Sequence, residues 1–397
     1  MRINLPTSKE VARSNLSFCI GIVLIGANLR TPITSLGPIL PDITRSLHLG
    51  GSAAGLLNAI PLVLFALVSL IAPGVGRRYD LKRLLACVLA SIMVGTIIRS
   101  LPIAGAIWVG TVVLSTGIAF ANVLLPSLVK LEFPENAARP IGYYAAAMAA
   151  TAGISAGLAV PIAQLPGSDW RWSLGCWALL ALVGMLIWLP QLTIKTVGRS
   201  VSGDAPKGAS PWRHIVGWQV SLFFAFQSFI FYSLVDWYAS YAMSRGIAAR
   251  DTGIHLLIYQ IVAIATILST GSFIKRSANQ VALGLVCGLF LLAGCSGLLL
   301  SPAYSLLWLV CAGLGGGIAM VLSLSLFALR THDHHQASAL SGMSQFVGYT
   351  GAAAGPLLVG VLHDFTHGWA WPFGMLIFCS VLVTIFASQA GRQRFIE

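Results

Sequence analysis

The sequence predicts an all-α integral membrane protein whose twelve transmembrane helices form two six-helix pseudo-repeats. Three observations carry this. First, 57% of the 397 residues are hydrophobic and only 9% are charged, with a mean hydropathy of +0.84, which excludes a soluble globule of ordinary composition. Second, apolar runs of about 18 to 25 residues recur along the chain, the length that crosses a ~30 Å hydrocarbon layer as helix. Third, landmarks in the first half return in the second. Val75-Gly76-Arg77-Arg78 and Phe273-Ile274-Lys275-Arg276 follow the second apolar run of each half, and Trp170-Arg171-Trp172 and Trp369-Ala370-Trp371 open the sixth.

The spans fall near 14–41, 50–73, 82–100, 104–127, 138–163, 170–190, 214–243, 252–274, 279–300, 303–329, 336–362 and 369–390. The first span holds the most informative stretch, Ala27-Asn28-Leu29-Arg30-Thr31-Pro32. At ~1.5 Å rise per residue, Arg30 lies ~25 Å from Arg13 and ~18 Å from Asp42, close to mid-depth. A charge there faces a wet cavity or a partner, and is read first as a functional site. The alternative is an arginine that ties two helices by bonding backbone carbonyls.

Between the sixth and seventh spans, residues 191–213 contain GRSVSGDAPKGASP, a Gly/Ser/Pro-rich hydrophilic linker. The expected organisation is therefore a six-helix bundle over 1–190, the linker over 191–213, and a second bundle over 214–397. Parallel six-helix repeats of this kind place a substrate site between the halves at mid-depth.

The net charge of +12 does not indicate nucleic acid, because the basic residues sort by side. With the amino terminus placed in the cytoplasm, eighteen of the 24 Lys and Arg residues lie in inner segments, five (Arg45, Arg99, Arg171, Arg245, Arg250) lie outside, and Arg30 is at depth. That asymmetry predicts cytoplasmic termini, and its partner is anionic lipid. The basic amino terminus followed by an apolar run resembles a secretory signal, but the run continues through Arg30 without a small-residue cleavage site. The seven cysteines stand singly within spans, without CxxC. They read as packing residues and imply neither disulfide nor metal.

Several stretches resemble a known family. NLRTPITSLGPILPDI (28–43), NVLLPSLVKLEFP (122–134), QSFIFYSLVDW (227–237) and ALRTHDHHQASALSGMSQFVGYTGAAAGPLLVGVLHD (328–364) resemble the cyanate and 2-nitroimidazole transporter family of the major facilitator superfamily. The resemblance implies a bacterial inner-membrane carrier, working as a monomer, in which spans one, four, seven and ten line the cavity, with five, eight and eleven beside them. There are two departures. The superfamily's loop after span two usually carries an Asp that caps a neighbouring helix; PGVGRRYDLKR (73–83) has Arg77 in its place. Where the family commonly shows Trp-Leu-Pro, this chain has Trp237-Tyr238-Ala239, which predicts a less bent seventh span.

Polar and aromatic residues deep in apolar spans are the candidate substrate contacts: Asn28, Arg30, Asn122, Gln227, Tyr232, Gln345 and Tyr349, with Tyr143, Met148, Phe231 and Trp237 supplying apolar or aromatic wall. The alternative for each amide or phenol is a helix-to-helix hydrogen bond worth ~0.6 kcal/mol. No carboxylate falls at mid-depth, so Asp236 and His255 are the only titratable candidates for proton coupling on the outer halves of spans, and Arg77 and Arg78 are gating candidates.

Three patterns that mimic enzyme or metal sites have plainer readings. Gly153-Ile154-Ser155-Ala156-Gly157 fits GxSxG but lies inside an apolar helix, where it predicts close packing. Gly313-Leu314-Gly315-Gly316-Gly317 has no preceding strand and reads as a close helix approach. His332-Asp333-His334-His335 is read as a solvated loop. The expected activity is secondary transport of a small solute, a small anion such as cyanate or a small heteroaromatic, by alternating access and without a cofactor. An efflux pump for larger apolar compounds, a non-transporting membrane sensor and, more remotely, a membrane enzyme are the alternatives.

Overall fold

The computed structural model describes residues 8–49, 51–193, 210–276 and 279–397, and these are helices and short connections without strands. The central part of the expected linker, 194–209, lies outside the described residues. Twelve helical stretches are long and apolar enough to cross a membrane. The first is broken into α1 (Ser8–Asn28), α2 (Thr31–Thr34) and α3 (Leu36–Ser46). There follow α4 (Gly51–Arg78), α5 (Leu81–Arg99), α6 (Ala106–Glu132) and α7 (Ala138–Ala163). The sixth span is α8 (Trp170–Gly175) with α9 (Ala178–Trp188). The remaining six are α10 (Ile215–Ser244), α11 (Ala249–Arg276), α12 (Val281–Leu300), α13 (Ser305–Leu329), α14 (His334–Thr366) and α15 (Ala370–Ala390).

The break in the first span follows from Pro32, which has no N–H to offer the carbonyl four residues earlier and whose ring clashes with it. The chain compensates locally. Leu29 N–H turns back to the Gly26 carbonyl at 3.0 Å, and the Ala27 carbonyl is taken by the Thr31 and Thr151 hydroxyls at 2.6 and 3.0 Å. Neighbouring hydroxyls meet freed backbone groups in this way where no water competes.

Other ends are closed by side chains the sequence places at the right positions. Asp80, Asp169 and Asp333 cap α5, α8 and α14 by accepting from backbone N–H groups. Asp333 is thus the capping acid of α14, supplied by the helix's own chain, while Arg77 and Arg78 are exposed at the end of α4. The seventh span, α10, runs unbroken for 30 residues.

The first six spans meet the last six through α4 and α6 against α14, and through α7 against α11 and α13. On the side where the termini lie, this contact is closed. A Cβ on Gly342 would lie 2.5 Å from the Ser69 carbonyl and 2.6 Å from the Pro73 ring, and one on Gly142 would meet the Gly271 Cα at 3.7 Å. Within the last six spans, Gly313, Gly315 and Gly317 bring α13 onto carbonyls of α11 and α12, where a Cβ would lie 2.6–2.9 Å from Tyr259, Cys287 and Ala263 oxygens. Gly351 and Gly355 do the same for α14 against α10.

Gly153 and Gly157 correct the sequence reading, since a Cβ on either would meet nothing within 4 Å. Close packing at that motif falls to Ser155, whose hydroxyl bonds Thr34 at 2.7 Å. His332 stacks on Phe395, and the His334 and His335 rings face each other at 4.0 Å.

The carboxyl-terminal segment is stitched to the last six spans by Arg330. Its Nε donates to the Ala390 carbonyl at 2.8 Å, and its Nη2 donates to the Gly391 carbonyl at 2.8 Å and to Gln280. The Arg330 carbonyl accepts from Ile396 N–H at 3.1 Å. Burial pulls this guanidinium down to about 10.

Candidate functional site

At mid-depth between the two sets of six helices lies a small cavity lined by Leu29, Arg30, Asn122, Leu125, Tyr144, Met148, Phe224, Met320, Leu324, Gln345 and Tyr349. Its volume is about 10 Å³, room for about one water, so a bound solute has to displace side chains. The break in the first span is what delivers the cation. Arg30 stands between α1 and α2, its carbonyl accepting from Ile33 and Thr34 N–H at 2.9 and 3.0 Å. Its side chain is left to cross the interface, where Nη1 donates to the Tyr232 hydroxyl of α10 at 2.7 Å, with the guanidinium carbon 6.0 Å from that ring's centroid. No ion pair to Arg30 occurs among the described residues.

The opposite wall is aromatic and amide. Tyr349 of α14 lies 4.9 Å from the Phe65 ring and edge-on to Phe224 at 6.4 Å, and its hydroxyl accepts from Asn122 Nδ2 at 3.2 Å. Gln345 Nε2 donates to the Asn122 carbonyl at 3.3 Å, leaving Gln345 Oε1 buried without a partner. The site therefore offers a planar cationic fork, one orphan acceptor, phenol hydroxyls and polarisable Met and aromatic surface. This chemistry suits a small solute that carries negative charge or strong acceptors and a hydrogen-bond donor.

Of the residues singled out from sequence, Arg30, Asn122, Met148, Gln345 and Tyr349 line this cavity, and Tyr232 joins it through Arg30. The others are placed elsewhere. Asn28 is fully buried and donates to the Leu24 and Leu180 carbonyls at 2.8 and 3.3 Å, tying α1 to α9. Tyr143 is 42% exposed on the outside of α7, and its neighbour Tyr144 takes the lining position, about 100° around the helix.

Gln227 bonds Ser228 at 2.9 Å within α10. Phe231 packs edge-on to Tyr232 at 5.3 Å and is not among the lining residues. Trp237 donates to the Pro356 carbonyl at 2.9 Å and so joins α10 to α14. Asp236 is exposed near the far end of α10, and His255 Nδ1 is 2.6 Å from the Tyr238 hydroxyl; neither touches the cavity.

Leu29, Leu125, Phe224, Met320 and Leu324 are wall residues that the reading of polar outliers passed over. Among the described residues no group of three or more metal-ligating side chains converges.

Twelve spans closed around a mid-depth cavity with one arginine define a polytopic solute carrier of two-bundle design. The chain belongs to the Major Facilitator Superfamily, whose family model matches residues 16–356. It is 36% identical over 378 residues to an uncharacterized transporter, YycB, of Bacillus subtilis, covering 95% of this chain and 94% of that protein. It is 34% identical to the 2-nitroimidazole transporter of Escherichia coli, covering 97% and 98% of the two chains, and 26% identical to the cyanate transport protein CynX of the same organism, covering 94% and 97%. Among solved structures it resembles the proton:xylose symporter XylE with a TM-score of 0.78 at 11% identity, over 96% of this chain and 97% of that one. It also resembles FucP in its outward conformation, with a TM-score of 0.74 at 13% identity, over 95% and 100%. These two likenesses concern the fold.

Proposed function

We propose that this membrane transporter carries a small anion, cyanate being one example, or a small heteroaromatic compound, by alternating access. The two halves, 1–190 and 214–397, rock about the Arg30 site, joined by the 191–213 linker. The observation that carries the reading is the Arg30 fork, held at a helix break by the first half and answered, among the described residues, by a phenol hydroxyl of the second. An anion or a nitro-type acceptor gains there a charge-assisted bond in a region where water competes poorly. The orphan Gln345 Oε1 accepts a ring N–H or O–H from the same solute.

Relatives named for 2-nitroimidazole and cyanate support this substrate range. The basic asymmetry of the sequence supports cytoplasmic termini, the likeness to Escherichia coli transporters supports a bacterial inner membrane, and the protein is proposed to work as a monomer.

Purified protein in liposomes, assayed by counterflow of labelled cyanate and of 2-nitroimidazole, tests the reading. Saturable flux of either, lost in Arg30→Ala, is the expected result. Binding without flux would make the protein a sensor, and flux indifferent to Arg30 would overturn the assignment of the site.

A further inference from the structure

A second cavity, of about 190 Å³, opens at the seam of the two halves on the side where the termini lie. The first half supplies Glu135 and Asn136 from the connection between α6 and α7, and Ala137 and Ala138 where α7 begins. The second half supplies Ile274 of α11, Leu329 at the end of α13, Arg330 and Gln280, with Gln393 and Phe395 of the carboxyl-terminal segment. None of these residues lines the Arg30 cavity.

The space is that of one ring. An apolar cavity of about 150 Å³ admits benzene, so this one takes a single aromatic ring with a substituent. Ile274, Leu329 and the Phe395 ring give it apolar wall, and Phe395 is itself held by stacking on His332 at 4.8 Å.

The charge within the walls is positive. Arg330 is 2% exposed, and no carboxylate pairs with it among the described residues. Its bonds to the Ala390, Leu329 and Gly391 carbonyls and to Gln280 occupy four of its five N–H groups. All four acceptors are neutral, and a charge buried without a counter-ion is costly. The Asn136 and Gln393 amides line the same cavity and can donate to an anion. Arg139, Arg392 and Arg394 are exposed and adjoin lining residues in the chain. Glu135, the lining acid, is exposed as well, where water and salt weaken its field.

We propose that this seam cavity binds a small aromatic carboxylate of the benzoate kind, with its carboxylate toward Arg330 and its ring against Ile274, Leu329 and Phe395, and that the bound acid holds the termini side shut. The inhibitory part rests on the alternating-access reading. The walls belong to both halves, so rocking them apart on this side takes the site to pieces, and a ligand that binds one state alone shifts the balance toward it. A soluble acid is favoured over the headgroup of an anionic lipid because a headgroup leaves the ring-sized apolar wall unused.

The test is calorimetric titration of sodium benzoate into detergent-purified protein carrying Arg30→Ala, so that the central cavity does not contribute. One saturable site per chain is expected, with acetate, which lacks the ring, binding far more weakly. Arg330→Gln should weaken benzoate by about tenfold or more, the worth of a hydrogen bond to a charged group. Asn136→Leu should weaken it severalfold, and decides the matter if Arg330→Gln fails to give monodisperse protein. Glu135→Gln removes a like charge and should tighten binding. In the same background without native cysteines, benzoate should also slow maleimide labelling of a cysteine introduced at Ser338, and Asn136→Leu should blunt that slowing. Absence of saturable binding, acetate as tight as benzoate, affinity indifferent to Asn136→Leu, weaker binding in Glu135→Gln, or phosphatidylglycerol occupying the site in place of benzoate would each overturn the proposal. Benzoate binding that leaves labelling unchanged overturns its inhibitory part. Neither readout uses flux, so failure of cyanate or 2-nitroimidazole transport with both intact refutes the transport reading and leaves the seam site standing.

Discussion

Replacing Arg30 by alanine is the sharpest perturbation of the proposed transport site. Among the described residues the guanidinium holds a single hydrogen bond, to the Tyr232 hydroxyl at 2.7 Å, which leaves its remaining N–H groups for a solute. A hydrogen bond to a charged group contributes about 1.5 to 3 kcal/mol, so losing the solute's share should weaken binding roughly tenfold to 150-fold at 1.4 kcal/mol per decade. Lysine keeps the charge and loses the planar fork, so Arg30→Lys should fall between. Asn28→Ala should leave affinity unchanged and act on stability, by ~0.6 kcal/mol for a helix-to-helix hydrogen bond, because it does not line the cavity and its Nδ2 is spent on the Leu24 and Leu180 carbonyls. Titration of cyanate or 2-nitroimidazole, with thermal stabilisation of purified protein as the readout, measures all three. An unchanged midpoint for Arg30→Ala in monodisperse protein, or failure of that variant to fold, would show that the arginine is a structural tie and refute the argument.

Gly342→Leu forces a side chain into a contact where a Cβ already lies 2.5 Å from Ser69 O; the closed side should open, seen as faster maleimide labelling of a cysteine introduced at Ser338. In a cysteine-free background, single cysteines near Arg199 and Arg171 should label only from the cytoplasmic and only from the external side respectively; the reverse pattern would overturn the proposed topology. Arg330→Ala removes the donor to the Ala390 and Gly391 carbonyls and to Gln280, which should cost on the order of 3 kcal/mol of stability for hydrogen bonds to a charged group, read as a lower unfolding temperature with substrate affinity retained.

The spans were legible because membrane crossing demands long apolar runs whatever the packing, and several expected bounds, 138–163 among them, coincide with the helix found. Arg30 was legible for the same reason, as a charge where charge is expensive. Which way a helix turns was not. The lipid-facing side of a span such as α7 is as apolar as its packed side, with Ile154 and Leu158 exposed, so no polar stripe marks the inner face and Tyr143 and Tyr144 are indistinguishable until neighbouring helices are placed. Polar outliers such as Asn28 and Trp237 advertise a need for partners without saying whether a backbone carbonyl or a solute meets it. The break at Leu29–Arg30 did have a signal, Pro32, four residues after a carbonyl it leaves unpaired.

That break has an electrical consequence. Arg30 is fixed near the middle of the membrane's field with no carboxylate paired to it among the described residues, so under the proposed cycle the empty carrier reorients with a net positive charge at its centre, and the carrier loaded with a monoanion reorients neutral. Membrane voltage then acts on the return step and spares the loaded one, with at most ~2.3 kcal/mol per 100 mV for a charge that crosses the whole drop. A carrier built this way is electrogenic through its own arginine, and the polarity of its voltage dependence reports which way the empty site travels.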